Sequence, residues 1–233
     1  LFMLKTRIIT ALILLAVLLP ILFFLPAVYI GAFFLVAIIA GAWEWSRLLA
    51  PETPRAAWLY ATFCLVIIFV LLGLQNVAWQ FSLLLLAVIF WFFIAPFMLA
   101  RGMNLSLQKL RPFYVVLGLI LLPATWYAIV FLRELGLVFL LSTMALVWVA
   151  DIGAYFVGKA FGKHKLAVQI SPGKSVEGAV GGLVLCYAYA FACVFFLPLE
   201  STIFGAWAIR FGWVPMLLMV SLLTAFSIFG DLF

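Results

Sequence analysis

Charge is what this sequence has least of. Only 9% of its 233 residues are charged, against about 25% in an ordinary soluble domain. Histidine occurs once and cysteine three times. The cysteines, Cys64, Cys186 and Cys193, lie inside apolar runs, and none has a CxxC partner or a nearby histidine cluster. That excludes a zinc site and a disulfide framework, and His164 cannot build a metal site alone. Strict apolar–polar alternation is absent, which excludes a β-barrel with its polar lumen. Internal repeats, low-complexity tracts and a soluble domain are absent as well. The sequence is instead 70% hydrophobic, with a mean hydropathy of +1.40. No water-soluble core of this size hides so much apolar surface, which leaves an integral membrane protein.

A transmembrane helix needs about 20 apolar residues. Eight runs meet or approach that length: 8–25, 28–45, 56–74, 77–100, 113–132, 135–157, 179–199 and 212–230. The expected fold is an all-α polytopic bundle of about eight spans, forming a single membrane domain over 1–233. Its N-terminal spans occupy 8–132, and its chemistry-bearing part occupies 135–233. A tight turn at Pro26-Ala27 joins the first two spans. The first run lacks a small-residue cleavage site before Tyr29 and reads as a retained span. Both ends of the sequence read as the ends of a fragment.

Orientation follows from the basic residues. With an even number of spans, Lys5, Arg7, Arg47, Arg55, Arg101, Lys109, Arg111, Lys159, Lys163, Lys165 and Lys174 share one side, and only Arg133 and Arg210 lie on the other. This positive-inside asymmetry places both termini in the cytoplasm; labelling of a cysteine at Gln169 from the outer face would contradict it. It also accounts for the net charge of +6 without a nucleic-acid partner.

Few polar residues then need a chemical explanation. Trp43-Glu44-Trp45-Ser46-Arg47 reads as an interfacial anchor with a Glu–Arg pair in water. Arg133-Glu134 and Glu200 read as outer-loop residues. Asp151 lies inside the sixth span near its cytoplasmic end, where a carboxylate costs about 2.5–3.5 kcal/mol. Such residues usually face the bundle or a wet cavity and mark a functional path.

The segment after that span holds four lysines and six glycines between positions 158 and 182. Glycines admit a ligand close to the backbone, lysines neutralise phosphate, and the start of the next helix offers free N–H groups. A polyphosphate site at the cytoplasmic face is one reading. The positive-inside rule, anionic-lipid binding and a Gly178/Gly182 helix-packing face are the others. Gly173-Lys174-Ser175 is not a Walker A end, because the required first glycine falls on Val168 and no strand precedes it. Asp231 closes the last span at the same membrane level as Asp151. Two carboxylates plus phosphate is the usual oxygen set for Mg²⁺.

Three blocks carry a resemblance. They are Ala150-Asp151-Ile152-Gly153-Ala154-Tyr155-Phe156-Val157-Gly158-Lys159 with Gly162-Lys163, then Ser171-Pro172-Gly173-Lys174-Ser175-Val176-Glu177-Gly178 with Gly181-Gly182, and finally Gly230-Asp231-Leu232. In these blocks the sequence resembles the phosphatidate cytidylyltransferases, the CDP-diacylglycerol synthases. Leu4-Lys5-Thr6-Arg7 and the Trp43-Glu44-Trp45 cluster are similar to bacterial members.

The resemblance implies transfer of CMP from CTP to phosphatidate with release of pyrophosphate, in a bacterial inner membrane, with Mg²⁺ or another divalent cation. It implies that Ser171, Lys174, Ser175, Glu177 and Gly178 line the nucleotide site and that Lys159 and Lys163 neutralise phosphate. It makes Asp151 and Asp231 metal ligands, and Asp151, Lys174 and Asp231 the catalytic set. Small-residue faces suit either a homodimer or internal packing. The family signature continues past Asp231 with Lys-Asp, His-Gly-Gly and Asp-Arg-x-Asp elements that are not in this sequence. The expectation is therefore that these 233 residues alone are inactive. Two other classes fit the scarce charges: a CTP-dependent polyprenol or phytol kinase, and a transporter using Asp151 for ion coupling. The clustering of polar residues at one face, with no repeat, disfavours the transporter.

Overall fold

A computed structural model describes residues 2–50, 54–74, 76–100, 110–167 and 170–232, without the side chains of 2–8, 11, 12, 14 and 100. Arg101, Lys109, Val168 and Gln169, and the side chains of Lys5 and Arg7, lie outside the described residues. Helices dominate: α1 (Phe2–Phe24), α2 (Ala27–Leu49), α3 (Pro54–Leu74), α4 (Val77–Ile89), α5 (Ala95–Ala100), α6 (Arg111–Leu135), α7 (Leu137–Phe161), α8 (Val176–Phe196), α9 (Ile203–Phe211) and α10 (Trp213–Leu232). Seven stretches are long and apolar enough to cross a membrane, α4 and α5 counting as one. The run at 8–25 falls in α1, whose apolar described part is Leu15–Phe24. The protein is thus a polytopic helical membrane protein. Its flanks are covered with exposed phenylalanine, leucine and valine, an apolar surface that water would not tolerate.

The chain divides into two compact units, Leu1–Phe81 with Arg111–Leu137, and Ser82–Leu110 with Val138–Phe233. In the first unit α2 packs on α3 and α6. Ala42, Tyr60, Ala61 and Cys64 form a buried cluster, with Ile38, Ile68 and Trp126 beside it. Without a hydrophobic drive between helices, close packing and hydrogen bonds carry the association. Gly118 supplies both. A Cβ there would strike the Tyr60 hydroxyl and the Trp45 indole, which donate to the carbonyls of Val115 (2.8 Å) and Tyr114 (3.0 Å). Trp126 likewise donates to the Gly31 carbonyl at 2.9 Å. The expected Glu–Arg pair at the Trp43 cluster is absent among the described residues. Arg47 instead lies 4.7 Å from the Trp43 ring centre, where the ring quadrupole attracts a cation.

The second unit has its core in Leu146, Ala150, Cys186, Ala190, Phe204, Met216 and Val220, drawn from α7 to α10. Between α4 and α5 the helix widens to a π-turn over Phe90–Ile94, with the Ala95 N–H reaching the Phe90 carbonyl. Pro96 explains it, since proline has no N–H for the ordinary ladder and its ring crowds the preceding turn. Tight approach of α7 to α8 rests on missing side chains. A Cβ on Gly182 would sit 2.8 Å from the Ala150 carbonyl oxygen, and one on Gly178 would sit 2.7 Å from that of Ala154. The packing reading of this glycine pair therefore holds. Because a backbone carbonyl cannot swing aside, Gly182→Val is expected to cost about 1–3 kcal/mol, the range for overpacking. A lowered midpoint of thermal unfolding in detergent checks this.

Three expectations are corrected here. The sequence argues against strands, yet β1 (Lys165–Ala167) pairs antiparallel with β2 (Ser171–Ser175), with Lys165 opposite Ser175 and Ala167 opposite Ser171. Such a short ribbon has too few residues for alternation to show. The seventh span starts at Val176 rather than 179, because Ser175 caps α8. The segment after it, expected as a plain loop, contains a short 3₁₀ turn, Leu199–Ser201, and α9, capped by Thr202, whose hydroxyl accepts the Gly205 N–H at 3.1 Å.

Candidate active site

The candidate site residues of the second unit converge on the hairpin between α7 and α8. Local sequence dictates its anchoring. Ser175 is an N-cap, a position serine favours because its oxygen can accept an orphan helix N–H, and here it accepts that of Gly178 at 3.2 Å. Ser175 is buried, and its hydroxyl lies where Cβ atoms on Gly158, Gly162 or Gly178 would be. The glycines leave room for the cap. The Val176 N–H donates to the His164 carbonyl at 2.9 Å. Two of the N–H groups that the sequence suggested for a ligand, those of Val176 and Gly178, are thus held by the chain itself.

Asp151, Lys174 and Asp231 come together from three elements. Lys174, in β2, forms an ion pair with Asp231 in the last turn of α10. Its ammonium nitrogen is buried, whereas Asp231 is 60% exposed, so a ligand has access from the Asp231 side. Asp151, on α7, feels both charges, repelled by Asp231 and attracted by Lys174. Sequence alone placed the two acids at one membrane level, and the fold places them in one electrostatic cluster. The Trp91 ring of the π-turn lies 3.8 Å from where a Gly230 Cβ would be, beside Asp231.

The remaining expected site residues sit elsewhere on the hairpin. Lys159 lies 5.8 Å from the centre of the Tyr155 ring. Lys159 and Lys163 are exposed, and neither ammonium forms an ion pair among the described residues. Ser171 is half-buried at the start of β2. Gly178 is buried against α7. The Glu177 carboxylate accepts from the Lys163 N–H (3.0 Å), the His164 N–H (3.2 Å) and the His164 ring Nδ1 (2.6 Å). Sequence reasoning weighs His164 only as a metal ligand and misses this role. A cap serine followed by an acid in the first helical turn is the signal that something local closes on this terminus.

No cluster of three or more histidine, cysteine or acidic side chains suited to a metal occurs among the described residues. Asp151 and Asp231 nevertheless suit Mg²⁺, which is typically held by one or two carboxylates with waters and substrate phosphates. Two mutually repelling carboxylates also gain from a divalent cation.

Comparison with known proteins gives the family of the chain. The pattern of the Cytidylyltransferase family matches residues 5–233. The Pseudomonas aeruginosa phosphatidate cytidylyltransferase is 40% identical over 183 residues, 78% of this chain and 67% of that protein. The Haemophilus influenzae phosphatidate cytidylyltransferase is 33% identical over 214 residues, 83% of this chain and 74% of that protein. The Bacillus subtilis phosphatidate cytidylyltransferase is 38% identical over 101 residues, 43% of this chain and 34% of that protein. No solved structure matches. With its matching family pattern and these relatives, the chain belongs to the cytidylyltransferase family, among the phosphatidate cytidylyltransferases.

Proposed function

We propose that this protein transfers CMP from CTP to phosphatidate at the cytoplasmic face of a bacterial inner membrane. The observation that carries the reading is the Asp151–Lys174–Asp231 cluster beside a glycine- and lysine-rich hairpin. In the reaction a phosphate oxygen of phosphatidate bonds to the α-phosphorus of CTP. The bond from that phosphorus to the β-phosphate bridging oxygen breaks, and pyrophosphate leaves. Little covalent work falls to the protein, so positioning and charge neutralisation are its tasks.

Lys174 offers its ammonium to the triphosphate, exchanging Asp231 for phosphate oxygens. The exposed Lys159 and Lys163 add positive charge around the hairpin and draw the nucleotide from water. Asp151 and Asp231 are the residues to hold Mg²⁺ or another divalent cation. When bound, that ion neutralises charge on the nucleotide phosphates and on the leaving pyrophosphate. Phosphatidate arrives laterally, its chains in the bilayer and its headgroup at the level of the cluster.

The test uses sealed membrane vesicles carrying the full-length protein, with labelled CTP and phosphatidate. Inverted vesicles, which expose the cytoplasmic face, are expected to form CDP-diacylglycerol and release one pyrophosphate per product. Sealed right-side-out vesicles are expected to form none until permeabilised. Transfer to a free polyprenol instead of phosphatidate would overturn the reading, as would activity confined to the opposite vesicle orientation.

A further inference from the structure

The role of Glu177 is open to a different reading from the one implied by resemblance. A carboxylate has about four lone-pair positions. Here the acceptors are engaged by the Lys163 N–H, the His164 N–H shared between both oxygens, and the His164 Nδ1. A ribose hydroxyl would have to displace one of these protein donors to be accepted. A phosphate would be repelled. Glu177 is therefore badly suited to touch the nucleotide.

What the side chain does is close a ring of contacts. The main chain of His164 accepts from the Val176 N–H, while the Glu177 carboxylate takes the N–H groups of residues 163 and 164 and the imidazole. The turn after α7 is thus bound twice to the start of α8. Between the two bound points runs the β1–β2 ribbon, whose second strand carries Lys174. Lys174 is one residue from the Ser175 cap. Its ammonium must stay level with Asp151 and Asp231, and a three-residue strand paired to a five-residue one has few other restraints. Hydrogen bonds to a charged acceptor are about twice as strong as neutral ones, which makes this the firmest tie in the hairpin.

We propose that His164 and Glu177 form a clamp, acting as positioning residues that hold the hairpin so that Lys174 is aimed at the nucleotide triphosphate. The inference rests on reading the Asp151–Lys174–Asp231 cluster as the CTP site. It removes Glu177 from the residues that contact CTP and gives the single histidine of the sequence a task.

The test is a double-mutant cycle on the full protein in its membrane, with His164→Ala, Glu177→Ala, both together, and His164→Asn. His164 has an 80% exposed side chain, so its removal opens no cavity and folding is not at risk. Three quantities are read: KM for CTP, KM for phosphatidate, and amide hydrogen exchange over 162–175. Each single alanine variant is expected to raise KM for CTP about tenfold, the scale of one charge-assisted hydrogen bond, and to speed exchange across the turn. KM for phosphatidate is expected to stay within about twofold, and the double variant to be no worse than Glu177→Ala, since coupled residues are non-additive. Asparagine can donate from the Nδ1 position, so His164→Asn is expected to recover most of the loss.

A raised KM in Glu177→Ala with unchanged KM and exchange in His164→Ala would overturn the clamp and return Glu177 to nucleotide contact. Additive effects in the double variant would do the same. Faster exchange in both alanine variants of a protein that binds no CTP would support the clamp as a structural tie, while refuting the nucleotide-site reading on which its aim depends.

Discussion

Lys174→Met is expected to lower kcat/KM for CTP by about 10²–10³, the usual cost of removing one preorganised donor from a developing charge. Methionine keeps the length and apolar stem of lysine and removes only the ammonium. The variant loses a phosphate partner. It also leaves Asp231 without its ion pair and facing the like charge of Asp151, which adds a conformational share to the loss. A second substitution separates the two effects. Lys174→Met with Asp231→Asn removes the uncompensated acid and is expected to recover thermal stability while activity stays low. Lys174→Arg is expected to recover only part of the rate, because a planar guanidinium does not replace a compact ammonium at a site shaped for one. Full activity in Lys174→Met would remove this residue from the reaction. Steady-state kinetics with labelled CTP, paired with unfolding midpoints, reads each outcome.

The membrane class and most of the helices were legible because they depend on composition and run length alone. Few charges and long apolar runs leave a chain little choice, and the helices fall close to the runs. Asp151 was legible for the same reason, since a carboxylate in a span is conspicuous. Its neighbourhood with Lys174 and Asp231 was not, because it depends on how α7, the hairpin and α10 pack, which no local pattern encodes. The hairpin itself escaped because three and five residues are too short for a period to register, and Pro172 and Gly173 argue against strand. The glycines were ambiguous in sequence for a physical reason: absence of a side chain serves a ligand and a neighbouring helix equally. In the fold Gly178 and Gly182 face backbone carbonyls of α7, which gives both a packing role. Ser175 shows the converse case. Resemblance implies that Ser175 lines the nucleotide site; in the fold its hydroxyl caps α8, and a serine just before an apolar helical run was a sufficient signal for the cap.

Asp151→Asn separates catalysis from stability more sharply than any other substitution in the cluster. The amide is nearly isosteric and removes one negative charge. In the protein without ligands this charge sits on an exposed side chain, repelled by Asp231 and attracted by Lys174, so it is not essential to the packing. The variant is therefore expected to unfold at the same temperature as the parent or higher, the pattern found where a functional residue is kept at the expense of stability. Activity is expected to fall by at least about 10²-fold, because an oxygen ligand charge for the divalent cation is gone. Binding checks the cause without relying on turnover. Mn²⁺ titrated into the parent and monitored by electron paramagnetic resonance is expected to show a site that Asp151→Asn weakens by at least about tenfold. Asp231→Asn is expected to weaken it as well, but from a different starting point. That substitution also frees Lys174, whose ammonium occupies Asp231 in the absence of ligand, so nucleotide affinity falls less than metal affinity does. If both asparagine variants bind Mn²⁺ and magnesium–CTP as the parent does, the two carboxylates do not form the metal site. The cluster would then serve only to hold the hairpin against α7 and α10.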